Sequence, residues 1–452
     1  MAHSIIQKSQ LEGQNRLDAE FYHPDKLDSL KILNRLKGEN LKNYFTNVSE
    51  VITPFSKEEI NNLKVYDLTD ALGFFFEEGK KITSPLELGS TKKILQQNDV
   101  VISRLRSYLK EISIVKDEKA FGSTEFIVLR SIKEVVPEIL FIYLLSNKIQ
   151  VILNWSQDGT NHPRFNEEAL MNLTLPNILL EKDKEIKKGV RDAFLLSDKS
   201  RELYQQAENL LLEKLGLKNF QFENDLFFTT KLSEVKSVNR IDADYFMPKY
   251  ETILDRISQK GIRVLADNFD IIRSKNFVYK EGGVVGVIKT KQVGKQNLKF
   301  EVESETSQEI SEKEKLPIMK DNDVVFASMG VGSLGRSNIF YDFEKNEREF
   351  TIDSTLRIFR KKTAGKILPE VLNVYLNSIV GQELIYKNIV GSSGIISIYE
   401  DYLRNLPVPL LSEFAQQKIA DLVRKSHESR KKSKQLLGEA KRKVEELIES
   451  GI

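Results

Sequence analysis

From Ile186 onward, positions three or four apart are apolar or small: Ile186, Val190, Ala193, Ser197, Ser200, Tyr204, Ala207 and Leu211. The same alternation of four- and three-residue steps returns 233 residues later at Ile419, Val423, Ser426, Arg430, Ser433, Leu437, Ala440 and Val444. Steps that average 3.5 residues trace the seam of a coiled coil, so the pattern predicts two long helices over 178–217 and 410–452. Ile186, Val190, Tyr204, Leu211, Ile419, Val423, Leu437 and Val444 are the expected seam contacts. Both seams are apolar at their ends and small or polar in the middle. That shared weakness favours the helices packing on each other over each packing on its own domain. Gly216 and Gly451 stand where helices commonly stop. The first helix carries the chain from one globular region to the next and the second returns, so the pair is expected to be antiparallel. About 40 residues each at 1.5 Å rise could reach roughly 60 Å.

The regions between these helices mix short β-type runs, such as "FGSTEFIVLR" and "FTIDSTLRIFR", with helical stretches such as "PEILFIYLLSNKIQVIL". Each region, 1–177 and 218–409, therefore reads as an α+β globule, with a hand-over near Leu217 to Asp225. The two regions are related. "NRLDAEFYHP" at Asn15–Pro24 returns as "NRIDADYFMP" at Asn239–Pro248, and "NDVV" at Asn98–Val101 returns at Asn322–Val325. Pro137, Glu138, Tyr143 and Leu144 match Pro369, Glu370, Tyr375 and Leu376, and "NLTLP" ending at Pro176 matches "NLPVP" ending at Pro409. A repeat of this length, with its landmarks in order, predicts a tandem duplication with a pseudo-twofold internal relation.

At 452 residues the chain exceeds what one core usually serves. With 40% hydrophobic and 30% charged residues it reads as globular, and the absence of cysteine removes disulfides, zinc–cysteine sites and thiol nucleophiles. A cytoplasmic location is expected, because no signal peptide and no run of about 18 apolar residues is present. A net charge of +2 leaves the partner open. The second helix carries nine basic against two acidic residues between Arg424 and Lys443, a solvated face or an electrostatic attraction.

Catalytic patterns are missing. His3, His23, His162 and His427 are scattered singly, with no metal-ligand spacing. There is no phosphate-binding G-x-x-x-x-G-K-[ST], no G-x-S-x-G elbow and no [DNS]-P-P-[YF] of the adenine methyltransferases. Gly330, Gly332 and Gly335 formally satisfy G-x-G-x-x-G, but "RSNIFY" follows as a strand rather than a helix, so a strand-to-strand loop is expected. No metal or cofactor site is expected in this chain, and it is read as a non-enzyme. In the repeated phrase, Arg16, Asp18 and Tyr22 correspond to Arg240, Asp242 and Phe246. They form either an intradomain ion pair with core aromatics or a docking surface for something that meets both halves alike.

The doubled α+β globules, the "NRxDAxxxxP" openings, the "NLxxP" turns and "NLPVPLLSEFAQQKIADLV", with Gln416, Gln417 and Ile419, together resemble the specificity (S) subunit of type I restriction-modification systems. The resemblance covers essentially the whole chain, and the first copy, "NLTLPNILLEKDKEIKKGV", lacks the glutamines. It implies two target-recognition domains, 1–177 and 218–409, each reading half of a split double-stranded DNA site, with helices 178–217 and 410–452 as conserved-region spacers. It also implies docking of two methyltransferase (M) subunits and of restriction and motor (R) subunits. S-adenosylmethionine, ATP and Mg are then expected on those partners, in a system of DNA methylation and phage defence. Spacers of roughly 30–45 Å would match one turn of B-DNA, about 34–36 Å. Loops as unlike as "SRLRSYLKE" and "SMGVGSLGRS" predict an asymmetric target.

Base reading calls for Arg, Lys, Asn, Gln, Ser or Thr on loops. The candidates are Arg104, Arg106, Lys110, Asn161, His162 and Arg164 in the first copy. In the second they are Ser328, Arg336, Ser392 and Ser393, with Lys289, Lys291 and Lys295. The competing expectations are a coiled-coil scaffold that binds proteins only, a recognition subunit of a related DNA-modifying defence system, and an unfamiliar nuclease or methyltransferase.

Overall fold

The computed structural model describes residues 3–8, 11, 16–56, 60, 62–72, 75–76, 79–218, 227–345, 347–391 and 396–451. The expected hand-over near Leu217 to Asp225 falls mostly outside them. Two compact units result, one of residues 1–197 with 432–452 and the other of residues 198–431. Each unit takes half of each long helix, where the seam periodicity suggests spacers separate from the globules. The helices run over Asp183–Leu215 and Glu413–Ser450, 33 and 38 residues.

Among the described residues the first unit has a four-stranded antiparallel sheet in the order Phe45–Asn47, Phe126–Ser131, Val100–Ser103, Ile112–Ile114. A five-stranded sheet follows the order Val51–Ile52, Lys92–Gln96, Lys119–Gly122, Leu63–Tyr66, Lys80–Ile82, with Leu63–Tyr66 parallel to Lys119–Gly122. The second unit repeats the plan. Its four-stranded sheet runs Phe269–Arg273, Leu356–Lys361, Asp323–Ala327, Ser337–Phe340, and its three-stranded sheet sets Val285–Ile288 parallel to Glu349–Ile352. Each unit is α+β, and the two fold alike.

The continuous apolar runs of the central strands have a simple cause. Val100 and Ile102 point into the core beneath the helices, while Val101 and Val128 point into a second core shared with the other sheet. In the second unit Val324 and Phe326 take the first side, and Val325 and Ala327 the other. A strand covered on both faces needs no polar alternation.

The repeated landmarks prove to be structural fastenings. Asn98 and Asn322 of "NDVV" both adopt left-handed backbone, φ 71° and 67°, which asparagine tolerates better than most residues. The next residue, Asp99, receives Arg130 through two bonds of 2.8 Å, and Asp323 receives Arg360 through bonds of 2.8 and 2.6 Å. Each carboxylate also accepts a backbone N–H, from Gln96 or Lys320 at 2.8 Å, and the side-chain bonds to Asp99 and Asp323 raise the pKa values of Arg130 and Arg360. Glu138 and Glu370 of "PE" pair with Arg191 and Arg424 on the long helices. Tyr143 and Tyr375 donate to the carbonyls of Thr174 (2.6 Å) and Pro407 (2.7 Å), tying the "YL" helix to the proline strand that precedes each long helix. Gln416, one of the glutamines of the family-like stretch, is buried and accepts from the Leu368 N–H at 2.9 Å.

Within each unit the halves of the long helices pack on each other and on the globule. In the first unit Ile186, Val190, Leu437 and Val444 belong to one core with Val100 and Ile102. Ser433 donates to the Ala193 carbonyl at 2.6 Å and Lys443 faces Glu185 at 3.6 Å, so the register runs antiparallel. In the second unit Tyr204, Leu211, Ile419 and Val423 are buried together, and Ser426 donates to the Ser200 carbonyl at 2.7 Å. The mid-seam residues Ser200, Ser426, Arg430 and Ser433 are thus hydrogen-bonded rather than gaps. Gly216, φ 70°, closes the first helix: its N–H donates to Glu213 and that of Leu217 to Leu212, the glycine-terminated double bond of a Schellman end. Much of the basic run is engaged locally, through Arg424, Lys431, Lys441 and Lys443.

Candidate nucleic-acid interface

Strand Val100–Ser103 turns back into Ile112–Ile114 through residues 104–111, which carry Arg104, Arg106 and Lys110. A second element lies beside this loop: the hairpin of Gln157–Asp158 and Arg164–Phe165, with Asn161 and His162 at its tip. Backbone bonds fuse the two. Arg106 N–H donates to Pro163 at 2.8 Å, Phe165 N–H donates to Arg104 at 3.1 Å, and Leu105 bridges Arg164. Residues about 60 positions apart in sequence thereby form one surface, and the fold places all six first-copy candidates on these two elements.

Glu125 lies at the centre. Its carboxylate accepts from Arg104 at 3.0 Å and from Arg164 at 2.8 and 3.0 Å, and these guanidinium bonds, Arg164's first, bring its pKa down to about 2. Arg164 also donates to the His162 carbonyl at 3.1 Å. Arg106 lies 3.5 Å from His162 Nδ1. Lys110 is half-buried, and burial followed by the nearby Lys441 lowers its pKa. Two arginines held planar by one carboxylate keep outward N–H groups in fixed directions, which is what base or phosphate recognition requires. Glu125 carries no sequence signal of its own, since only the turn between Lys119–Gly122 and Phe126–Ser131 brings it beside Arg104.

The second unit builds the same frame from other residues. Its loop of residues 328–336 joins antiparallel strands, and its hairpin pairs Ile389–Val390 with Ser397–Ile398. Gly330 N–H donates to Ile396 at 2.9 Å, Ile398 N–H donates to Ser328 at 3.1 Å, and Met329 bridges Ser397. These three contacts match those of the first unit one for one. Gly330, Gly332 and Gly335 all have positive φ in this loop and no helix opens there, so the glycine pattern serves a strand-to-strand turn. Ser328 is buried with its hydroxyl on the Thr355 carbonyl at 2.8 Å, which removes it from the outer surface. Arg336 is exposed. Ser392 and Ser393 lie outside the described residues. Lys289 sits 4.2 Å over the Tyr279 ring, Lys291 pairs with Glu303, and Lys295 is exposed with its carbonyl accepting from Asn377 at 3.4 Å.

The repeated phrase fastens these hairpins. Arg16 pairs with Asp18 and with Asp158 (2.6 Å) and donates to the Gln157 carbonyl at 3.3 Å. Gln157 in turn donates to the Ser107 hydroxyl at 2.9 Å, reaching the other loop. Arg240 pairs with Asp242 at 2.6 Å and donates to the Ile389 carbonyl at 3.2 Å. Tyr22 is buried and Phe246 half-buried. In both copies the arginine–aspartate pair lies within its own domain and contacts the hairpin.

No protein-family model and no curated protein matches the sequence. Among solved structures, the chain is similar to the type I restriction-modification S subunit from M. genitalium, at 13% identity and a TM-score of 0.42, over 94% of this chain and 98% of that one. It is similar to the HsdS subunit from Thermoanaerobacter tengcongensis, at 17% identity and a TM-score of 0.30, over 92% and 96%. A chain of a type I R-M system structure is similar at 18% identity and a TM-score of 0.32, over 92% and 97%. Among the described residues no cluster of three or more His, Asp or Glu side chains is placed to hold a metal, and no helix is long and apolar enough to cross a membrane.

Proposed function

We propose that this chain is the specificity subunit of a type I restriction-modification complex: it binds double-stranded DNA by sequence and directs chemistry carried by methyltransferase and restriction subunits. One observation carries this reading. In both units the same loop and hairpin are locked by the same backbone contacts, while the side chains they present differ. Arg104, Arg106, His162 and Arg164 occupy one frame, and Arg336 with a glycine-rich turn occupies the other. A fixed frame with exchanged side chains is how one fold reads two different half-sites, because the frame positions and the side chains specify. The target is therefore a two-part, non-palindromic sequence. Cations on these loops account for the phosphate share of the affinity, so binding weakens steeply with salt.

Sequencing of methylated positions in cells that carry this gene with its neighbours tests the reading. A split, asymmetric modified motif that disappears on deletion of the gene is expected. A methylation pattern unchanged by the deletion, together with no retention of any duplex by the purified chain, refutes it and leaves a scaffold that binds proteins only.

A further inference from the structure

The first unit's loop does more than carry cations. Its tip is a single turn, Ser107–Leu109, flanked by Arg106 and Lys110, both in the left-handed backbone region at φ 51° and 54°. Side chains with a Cβ take that conformation at a cost of about 1–2 kcal/mol per residue. The sister loop places Gly330 and Gly335 at the matching positions, φ 103° and 87°, so glycine is compatible with this turn and the first loop goes without it. Such strain persists where the surroundings over-determine it, and here they do. Arg106 N–H is held by Pro163, Ser107 by Gln157, and Lys110 N–H by the Ser107 carbonyl at 2.9 Å.

The strained turn holds up two apolar side chains, Tyr108 and Leu109, 56% and 37% exposed. The sister loop is one residue longer and has no aromatic at its tip, which Val331, 64% exposed, Gly332 and Ser333 occupy; the sister leucine, Leu334, is buried. An exposed aromatic–aliphatic pair on a rigid tip, with Arg104, Arg106 and Arg164 beside it, has the chemistry of a wedge. The cations meet phosphates while the ring and the isobutyl group enter a base step.

We propose that Tyr108 and Leu109 insert between adjacent base pairs of the half-site read by the first unit and make that half-site select a deformable pyrimidine–purine step. This rests on the DNA-reading function proposed above. The wedge adds a selectivity that base-edge hydrogen bonds do not supply, because the energy of opening a step depends on which step it is. The second unit, with Val331, Gly332 and Ser333 at its tip, has no aromatic wedge.

The test uses the full-length chain and a pool of short duplexes with a randomised centre, the retained fraction being sequenced for wild type, Y108A/L109A and Y108W. Wild type is expected to enrich one pyrimidine–purine step in one half-site. Y108A/L109A is expected to lose about ten-fold of that enrichment, keeping the other selected positions, and Y108W to retain it. An unchanged step preference in Y108A/L109A, or selection by wild type with no such step, overturns the wedge and leaves the DNA function standing. Failure of the wild type to retain any duplex overturns both. Circular dichroism separates loss of folding from loss of the wedge, and Y108W, which keeps an aromatic ring, overturns the proposal if it behaves like alanine.

Discussion

Replacement of Asp99 by alanine probes the fastening at the start of strand Val100–Ser103. The carboxylate is about 1% exposed and neutralises Arg130 through two bonds, while the arginine keeps 26% exposure. Removing one partner of a buried pair typically costs about 3–5 kcal/mol. Partial rehydration of the guanidinium reduces this to about 2–4 kcal/mol. With a urea m-value of about 2–3 kcal/mol/M, the midpoint should fall by about 1 M. The protein has one tryptophan, Trp155, stacked on His23 at 3.9 Å within the same unit, so tryptophan fluorescence during urea unfolding reports this unit directly. Replacing Arg130 by methionine in the D99A chain removes the stranded charge and should recover most of the loss. A double variant as unstable as the sum of its parts, or a D99A midpoint within about 0.3 M of wild type, would refute the charge-pair account. Asp323, with the same exposure and an Arg360 partner 27% exposed, should respond alike when the second unit is followed by circular dichroism.

Three further outcomes are expected. Glu125→Gln frees Arg104 and Arg164, so log affinity for duplex DNA should fall more steeply with log salt by about 1 per added phosphate contact, with weaker discrimination between sequences; titration at several salt concentrations measures both. Arg106→Gly relieves left-handed strain and should raise stability by under about 1 kcal/mol while weakening duplex binding, a split read by thermal melting beside a binding titration. His427 is fully buried, with Nδ1 3.0 Å from Glu344 and Tyr341, Glu370 and Arg430 around it, and burial chiefly lowers its pKa below 6.5. The unfolded chain therefore takes up the proton first as pH falls. Stability is full above about 6.5 and declines below it, and His427→Phe, the residue at the matching position 194, should flatten that dependence in melts at stepped pH.

Legibility followed the range of the interactions. The seams of both long helices were readable, because a helix facing one partner repeats its apolar residues at a fixed step; all eight expected contacts, from Ile186 to Val444, are buried. The helices prove a few residues shorter than expected: a separate short helix, Asn177–Glu181, precedes the first, which starts at Asp183, and the second starts at Glu413. The grouping of Arg104 with His162 and Arg164 was proposed from residue type, but Glu125 as the common acceptor of the two arginines was not, because nothing in spacing links that turn to the loop before it. Ser328 shows the reverse failure: a polar residue on a loop is still buried when its neighbour's carbonyl faces inward.

The sequence by itself determined the duplication, the α+β class and the pairing of two helices, because period and repeat are properties of the chain that survive without coordinates. Only the tertiary structure decided what the repeated residues do. Asp99 meets Arg130, Arg16 meets the Gln157 carbonyl and Arg106 takes a left-handed turn because strands and hairpins distant in the chain close on one another, and side-chain contacts of that kind depend on distance in space rather than on order in sequence.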